Sequence, residues 1–94
     1  MKIEFDPNKS RRNAEERGLP FDKVAEFNWA TSRTNPDDRF VYSEPRYSSF
    51  GVIGERLHYL CFTPIVGGIR VISFRKANKR EIAKYEKAFK AFNQ

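Results

Sequence analysis

The chain has 94 residues, with 18 Lys or Arg against 12 Asp or Glu, and its net charge at neutral pH is +6. This length predicts one domain over residues 1–94, and an apolar fraction of 39% excludes a disordered tail. A single cysteine excludes an internal disulfide framework, and no Cys and His spacing predicts a zinc site. No segment resembles a signal peptide or approaches the about 20 apolar residues of a membrane span. We therefore expect a cytoplasmic protein that needs no cofactor and contacts no membrane.

The first predicted elements are a short strand and a helix. Polar and apolar residues alternate over residues 2–5, which indicates the strand. The helix covers residues 7–17, because Asp6 suits the N-cap, the following proline suits the first helical position and Gly18 suits the end. Ala14 is its one apolar residue, so this helix has no apolar face to bury. It is either a solvated helix or one whose face serves a ligand or partner.

The middle of the chain is predicted to hold a second helix, a loop and three strands. The helix starts near Pro20 and has the apolar residues Leu19, Phe21, Val24, Ala25 and Phe27. Residues 28–38 are rich in turn formers and are predicted to be a loop. The strands cover residues 39–53 with a break at Pro45, then 56–65 and 69–74, and their turns lie at Gly54–Glu55 and Gly67–Gly68.

The last predicted element is a helix over residues 78–93, in which one face carries Ile82, Tyr85, Phe89 and Phe92. The predicted order is β-α-α-β-β-β-α, and the last three strands form an antiparallel meander. The predicted fold class is therefore α+β, with a small antiparallel sheet packed with helices.

The register of the last hairpin decides which residues share a face of the sheet. A two-residue turn at Gly67–Gly68 pairs Val66 with Ile69, and it puts His58 and Arg75 on one face with Leu60, Phe62 and Ser73. The other face is then the better candidate for the core. A three-residue turn instead places His58 with Arg70, Ile72 and Phe74. The sequence leaves both registers open.

The cations are ten Arg and eight Lys, and residues 70–81 concentrate five of them: Arg70, Arg75, Lys76, Lys79 and Arg80. The guanidinium group offers a planar fork of donors that suits phosphate better than an ammonium does. An anionic partner is one explanation of this charge, either a nucleic acid or an acidic protein. Simple solubility is the other.

Three motifs resemble a known family. They are F-D-P-x-K-x-x-x-N at residues 5–13, G-x-x-F at residues 18–21, and R-x-I-S-x-R-K-A-x-x-x-E-x-x-x-Y at residues 70–85. In this order and spacing the chain resembles the BrnT toxins of bacterial type II toxin–antitoxin systems, which have a RelE-like fold. One departure is Arg17, since the family usually has a histidine there. A permanent cation at this position leaves phosphate binding open to it.

The resemblance implies an endoribonuclease that blocks translation. It also implies a partner, a BrnA-type antitoxin with a ribbon-helix-helix DNA-binding domain, so that DNA is met only through the antitoxin. An inhibitor that covers a cationic cleft is expected to present an acidic segment.

RNA supplies its own nucleophile, the 2′-hydroxyl, so its cleavage needs a base, an acid and cations around the phosphate, with no metal ion. Arg75 and Arg70 are expected to stabilise the phosphate. His58 and Tyr85 are the candidates for proton transfer. Further cations expected to bind RNA are Lys9, Arg17, Lys76, Lys79 and Arg80.

Each of these residues also has a structural interpretation. The cations are otherwise surface charges, His58 is a structural strand residue, and Tyr85 packs in the core with its hydroxyl at the rim. Glu81 either holds Arg75 in place or caps its helix. Two hypotheses for function follow: a metal-independent endoribonuclease toxin, or a non-catalytic basic module that binds nucleic acid or an acidic protein.

Overall fold

The computed structural model of the chain describes the backbone of residues 1–92 and the side chains of residues 1–90. Within that range the elements are β1 (Lys2–Glu4), α1 (Pro7–Arg17), a 3₁₀ helix (Phe21–Glu26), β2 (Asn28–Pro36), β3 (Tyr47–Ile53), β4 (Arg56–Ile65), β5 (Gly68–Lys76) and α2 (Lys79–Phe92). The strands form one sheet in the order β1-β5-β4-β3-β2. β1 runs parallel to β5, and the other pairings are antiparallel. The fold is of mixed α+β class.

Local signals place the ends of α1 where the sequence predicts them. The Asp6 side chain accepts the backbone N–H of Asn8, which satisfies one of the donors that a helix start leaves unpaired. Gly18 ends the helix in the left-handed conformation, with φ of 66°, and its N–H donates to the carbonyl of Ala14. Both ends therefore follow from residues within one turn of them.

Polar side chains attach α1 to the rest of the fold. Ser10 is buried, and its hydroxyl accepts the N–H of Phe21 at the start of the 3₁₀ helix. The Asn13 amide nitrogen donates to the carbonyls of Leu19 and Phe74, at 2.7 and 2.9 Å. The Phe74 carbonyl belongs to β5, so Asn13 ties the helix to the sheet. This is how a helix without an apolar face is held in place.

The core lies on one face of the sheet, here called the inner face, under the 3₁₀ helix. Its buried side chains are Leu19, Phe21, Val24, Phe27, Leu60, Phe62, Ile69, Val71 and Phe74. Burial of each large apolar side chain contributes about 1.5–3 kcal/mol to stability. Gly51 allows the Phe27 ring to approach the sheet closely, because a Cβ there would lie 2.5 Å from Cζ of Phe27.

The predicted loop over residues 28–38 was wrong, because most of it is the strand β2. Its side chains are mainly polar and its pairing with β3 is irregular between Asn28 and Arg33, so the sequence shows no period of two. The predicted strand over residues 39–53 is correct only for β3. Residues 37–46 form a loop, closed at its base by the Asp37 N–H donating to the Arg46 carbonyl. The predicted order therefore lacks one strand.

Of the two registers that the sequence left open for the last hairpin, the one with a turn at Gly67–Gly68 is not the observed one. The turn lies at Val66–Gly67, and Ile65 faces Gly68. Gly67 takes a φ of 80°, which favours glycine. An irregularity between Cys61 and Phe62 shifts the pairing once more, so that Arg75 faces Tyr59 and His58 faces Lys76.

This register puts His58 and Arg75 on opposite faces of the sheet. His58, Leu60 and Phe74 lie on the inner face. The opposite face, here called the outer face, carries Tyr59, Cys61, Ser73 and Arg75. The other register, with a three-residue turn, predicts His58 beside Arg70, Ile72 and Phe74. Among these three, His58 contacts Phe74.

The helix α2 begins over the outer face with a capping box. The Asn78 side chain accepts the N–H of Glu81, and the Glu81 carboxylate accepts the N–H of Asn78. Ile82 and Tyr85 are half-buried, whereas Phe89 is 54% exposed. Phe92, which is predicted to lie on the same face, is outside the residues whose side chains the structure describes. No helix within residues 1–92 has both the length and the apolar character to cross a membrane.

Candidate functional site

A pocket of about 570 Å³ opens on the outer face, between the loop of residues 37–46 and the start of α2. Its floor comes from β3, β4 and β5, whose outward side chains include Phe50, Tyr59 and Arg75. The loop contributes two further guanidinium groups, those of Arg39 and Arg46. Two arginines from this loop and one from β5 thus meet around one cavity.

Arg75 is held in a fixed orientation from two sides. Its Nη1 and Nη2 donate to Oε1 and Oε2 of Glu81 at 2.8 and 3.0 Å, which is a bidentate ion pair. Its guanidinium carbon lies 4.4 Å from the ring centroid of Tyr59. The bonds from Arg75 lower the pKa of Glu81, and the same bonds raise the pKa of Arg75. Both groups are therefore ionised at neutral pH.

The guanidinium of Arg75 keeps one edge open. Glu81 takes the edge formed by Nη1 and Nη2, and the second Nη1 hydrogen points to the Lys76 carbonyl at 3.3 Å. Of the five N–H groups, Nε–H and one on Nη2 have no partner in the part of the chain that the structure describes. These two donors are parallel, which is the geometry that binds two oxygens of a phosphate.

A buried carboxylate organises the loop beside Arg75. The Asp37 side chain is 2% exposed and accepts Nε and Nη2 of Arg39 at 2.8 and 3.0 Å. The Tyr42 hydroxyl and the Cys61 thiol also point to Asp37, at 3.4 and 3.8 Å. The bonds from Arg39 lower the pKa of Asp37 although burial opposes them, and burial raises the pKa of Cys61. Asp37 therefore ties the loop to β4.

Arg46 lies at the other end of the same loop. Its guanidinium carbon is 4.1 Å from the ring centroid of Tyr42, and its Nη2 is 3.8 Å from Oε1 of Glu44. Its Nε–H is buried and has no hydrogen-bond partner in the described part of the chain. An unpaired buried donor is unfavourable, so an acceptor at this position would stabilise the loop.

Two smaller pockets adjoin the main pocket and share lining residues with it. One, of about 140 Å³, lies beside α1 with Lys9 and Arg12 in its wall, and it shares Ile72 and Ser73 with the main pocket. The other, of about 330 Å³, lies between β2 and α2 and shares Phe50 and Glu81 with the main pocket. We call the three together the outer groove. Its cationic lining residues are Lys9, Arg12, Arg33, Arg39, Arg46, Arg75, Arg80 and Lys84.

Two of the four predicted catalytic residues lie outside the outer groove. His58 is buried on the inner face, where its ring stacks on Phe74 at 5.6 Å and its Nδ1–H donates to the Arg56 carbonyl at 2.9 Å. Burial lowers the pKa of His58, and the charges of Lys76 and Arg56 add to this. Arg70 lies near the other end of β5, where its Nε donates to Glu4 at 2.9 Å.

The structure divides the remaining predicted residues between the groove and other surfaces. Tyr85 lines the pocket between β2 and α2, but its hydroxyl donates to the Thr31 carbonyl and so fastens α2 to β2. The predicted RNA-binding residues Lys9 and Arg80 line the groove. Arg17, Lys76 and Lys79 are exposed outside its described pockets. Glu81 combines both of its predicted roles, since it holds Arg75 and caps α2.

Sequence reasoning missed several groove residues, among them Asp37, Arg39, Arg46 and Tyr59. Tyr59 had a usable signal, because alternation along β4 puts it on the face opposite Leu60. The loop residues had no such signal in the sequence, because Asp37 and Cys61 are 24 residues apart and come into contact only in the folded chain. Within residues 1–92, no three His, Cys, Asp or Glu side chains come together in a way that would hold a metal ion.

The arrangement is a cationic groove with one pre-oriented arginine, and the motif that carries this arginine spans β5 and the start of α2. A family model described as "Ribonuclease toxin, BrnT, of type II toxin-antitoxin system" matches residues 5–81. The chain belongs to the BrnT toxin family. The matched residues include the Arg75–Glu81 pair and the whole sheet apart from β1. No curated protein and no solved structure gives a match. Membership in the BrnT family implies an RNA target and a protein antitoxin.

Proposed function

We propose that this chain is an endoribonuclease that cleaves RNA without a metal ion and thereby inhibits translation. The 2′-oxygen of one nucleotide forms a bond to the adjacent phosphorus, and the bond from phosphorus to the 5′-oxygen breaks. A proton leaves the 2′-hydroxyl and a proton reaches the 5′-oxygen, so that a 2′,3′-cyclic phosphate and a 5′-hydroxyl result. Membership in a family of ribonuclease toxins supports the reaction class. The observation that supports the proposed site of the reaction is the fixed guanidinium of Arg75 in the outer groove.

In this proposal Arg75 binds the scissile phosphate through its open edge. The phosphate gains negative charge as the 2′-oxygen attacks, and the donors that stabilise this charge are already oriented before RNA binds. Removal of one such preorganised donor typically lowers a rate by about 10²- to 10³-fold. Glu81 acts as a positioning residue, because its lowered pKa keeps it ionised and makes it a weak base.

The other predicted residues take supporting roles in the same proposal. Lys9 and Arg80 bind RNA phosphates along the groove. Tyr85 holds α2 against β2, and His58 stabilises the inner face below the site. Arg70 with Arg17, Lys76 and Lys79 adds positive potential, which attracts RNA from a distance.

The partner we propose is a BrnA-type antitoxin with a ribbon-helix-helix domain, and the chain meets DNA only through it. The groove has eight cationic lining residues, of which Arg39, Arg46 and Arg75 are paired with carboxylates. An acidic antitoxin segment would match this charge and exclude RNA. We further propose that the chain acts in the cytoplasm as one RelE-like domain.

The decisive experiment incubates purified protein with RNA in the presence of a metal chelator. We expect cleavage products that end in a cyclic phosphate, and a rate for Arg75→Ala lower by about 10²- to 10³-fold. Lys23→Ala is the matched control, because it also removes one positive charge but lies on the 3₁₀ helix over the inner face. Cleavage that requires Mg²⁺, or that survives Arg75→Ala, would contradict the proposed mechanism.

A binding measurement separates the second hypothesis from the first. If RNA binds the groove and is never cut, the chain is a non-catalytic basic module. In bacteria, induced wild-type protein should stop growth, and co-expression of an acidic protein encoded beside it should restore growth. Arg75→Ala should abolish toxicity while leaving the protein folded.

A further inference from the structure

The pocket between β2 and α2 has a different character from the rest of the outer groove. Its volume is about 330 Å³, near the small end of the range for pockets that hold a small ligand. Two aromatic side chains, Phe50 and Tyr85, stand in its wall together with the exposed amide of Asn35. Aromatic rings and an amide are the groups with which proteins stack and read an unpaired base.

The polar groups of this pocket are available to a ligand. Asn35 has no side-chain hydrogen bond to any described residue. The same holds for Arg33, Arg80 and Lys84, which also have no ion-pair partner among the described side chains. The Tyr85 hydroxyl is already bound to the Thr31 carbonyl, so this side chain offers its ring. The pocket thus combines free cations with an aromatic wall and one free amide.

A row of side chains connects this pocket to Arg75. In the sheet register Arg33 faces Phe50, Phe50 faces Tyr59, and Tyr59 faces Arg75. The rings of Phe50 and Tyr59 are 5.4 Å apart, and Arg75 lies over Tyr59. Phe50 is therefore two strand spacings from Arg75, about 10 Å across the sheet. A base at Phe50 belongs to a nucleotide close to the phosphate held by Arg75.

We propose that this pocket holds one base of the RNA beside the scissile phosphate, and that Asn35 selects adenine there. The proposal rests on the proposed function, since it places the base relative to the phosphate at Arg75. The Asn35 amide presents one donor group and one acceptor side by side, which match the N6 amino group and a ring nitrogen of adenine. Cytosine offers a similar pair, its N4 amino group and N3, but its smaller ring stacks over less of an aromatic side chain. Guanine offers two adjacent acceptors at the corresponding edge, which suit arginine better. Arg33, Arg80 and Lys84 hold the flanking phosphates.

The test reads base preference directly. Purified protein cuts a random-sequence RNA pool, and the new ends are sequenced. The wild type should favour adenine at one position beside the cut by about five- to tenfold, as expected for one amide pair at an exposed site. Asn35→Ala should remove this preference and reduce the total cleavage rate only slightly. Asn8→Ala is the matched control, because it removes the same side chain from α1, outside the groove.

A second measurement decides the proposal even if no RNA is cut. Binding of oligoadenylate, oligocytidylate and oligouridylate is compared for the wild type and Asn35→Ala. Preferential binding of oligoadenylate that is lost in Asn35→Ala supports the base pocket, and absence of cleavage then contradicts only the proposed reaction. If Asn35→Ala changes neither the sequence at the cut nor the order of binding, the pocket does not read a base. Cleavage by both proteins in that case leaves the proposed function standing.

Discussion

Glu81 binds both Arg75 and the start of the helix that follows it. Its Oε1 accepts Nη1 of Arg75 at 2.8 Å and the backbone N–H of Asn78 at 2.9 Å, while its Oε2 accepts Nη2 of Arg75 at 3.0 Å. One carboxylate thus fixes the last strand, the capping box of α2 and the orientation of the guanidinium. A change at Glu81 should therefore act on the site through Arg75.

Glu81→Gln tests this positioning role. The amide oxygen can still cap the helix, but one acceptor becomes a donor and the charge that orients Arg75 is lost. Since a misplacement of about 1 Å lowers a rate by about 10²-fold, we expect single-turnover cleavage to fall by about 10- to 100-fold. Glu86→Gln on the exposed side of α2 is the control. Equal rates for the two variants would show that Arg75 needs no partner to be oriented.

Salt dependence of RNA binding tests which cations touch phosphates. For single-stranded nucleic acid, each neutralised phosphate changes the slope of log affinity against log salt by about 0.7. Lys9→Ala and Lys84→Ala should each reduce the slope by this amount, because both residues line the outer groove. Lys76→Ala and Lys23→Ala should leave the slope unchanged. A reduced slope for Lys76→Ala would extend the RNA path beyond the groove.

The parts of the fold that sequence predicts correctly depend on nearby residues. Asp6, Pro7 and Gly18 define α1 within single turns, so its bounds are correct to the residue. β2 is the opposite case, because its polar side chains and irregular pairing with β3 hide the alternation of a strand. The irregularity between Cys61 and Phe62 then reversed the face of Arg75 relative to His58, because one extra residue in β5 shifts the pairing by one and successive strand residues point to opposite sides.

The same distinction applies to the site. The link between Arg75 and Glu81 spans six residues, so the spacing of the motif already contains it. The contact between Asp37 and Cys61 spans 24 residues and joins a loop to a strand, which no local pattern encodes. Asp37 also lay in a segment predicted as loop and Arg39 in one predicted as strand. The contribution of the loop of residues 37–46 to the groove therefore could not be predicted without the fold.

Stability against pH tests the burial of His58. Burial lowers its pKa, so the unfolded chain binds a proton near pH 6.5 while the folded chain resists it. The stability that neutral, buried His58 contributes is fully present above that pH. It is lost as the pH falls from there through the lower pKa of His58 in the folded state. We expect the urea midpoint of the wild type to fall between about pH 7.5 and about pH 5. His58→Gln, which cannot titrate, should show a smaller fall, and an equal fall would place the responsible proton elsewhere.

Tyr85→Phe separates a structural from a proton-transferring hydroxyl. The hydroxyl donates to the Thr31 carbonyl, so its loss should loosen α2 and reduce the free energy of unfolding by about 0.5–1.5 kcal/mol. Loss of a proton-transferring group would instead lower the cleavage rate by about 10²- to 10⁴-fold, and we expect a far smaller change. Tyr47→Phe is the control, because the Tyr47 hydroxyl has no hydrogen bond to any residue that the structure describes, while its ring stacks on Phe62. A large loss of rate with unchanged stability in Tyr85→Phe would assign proton transfer to this tyrosine.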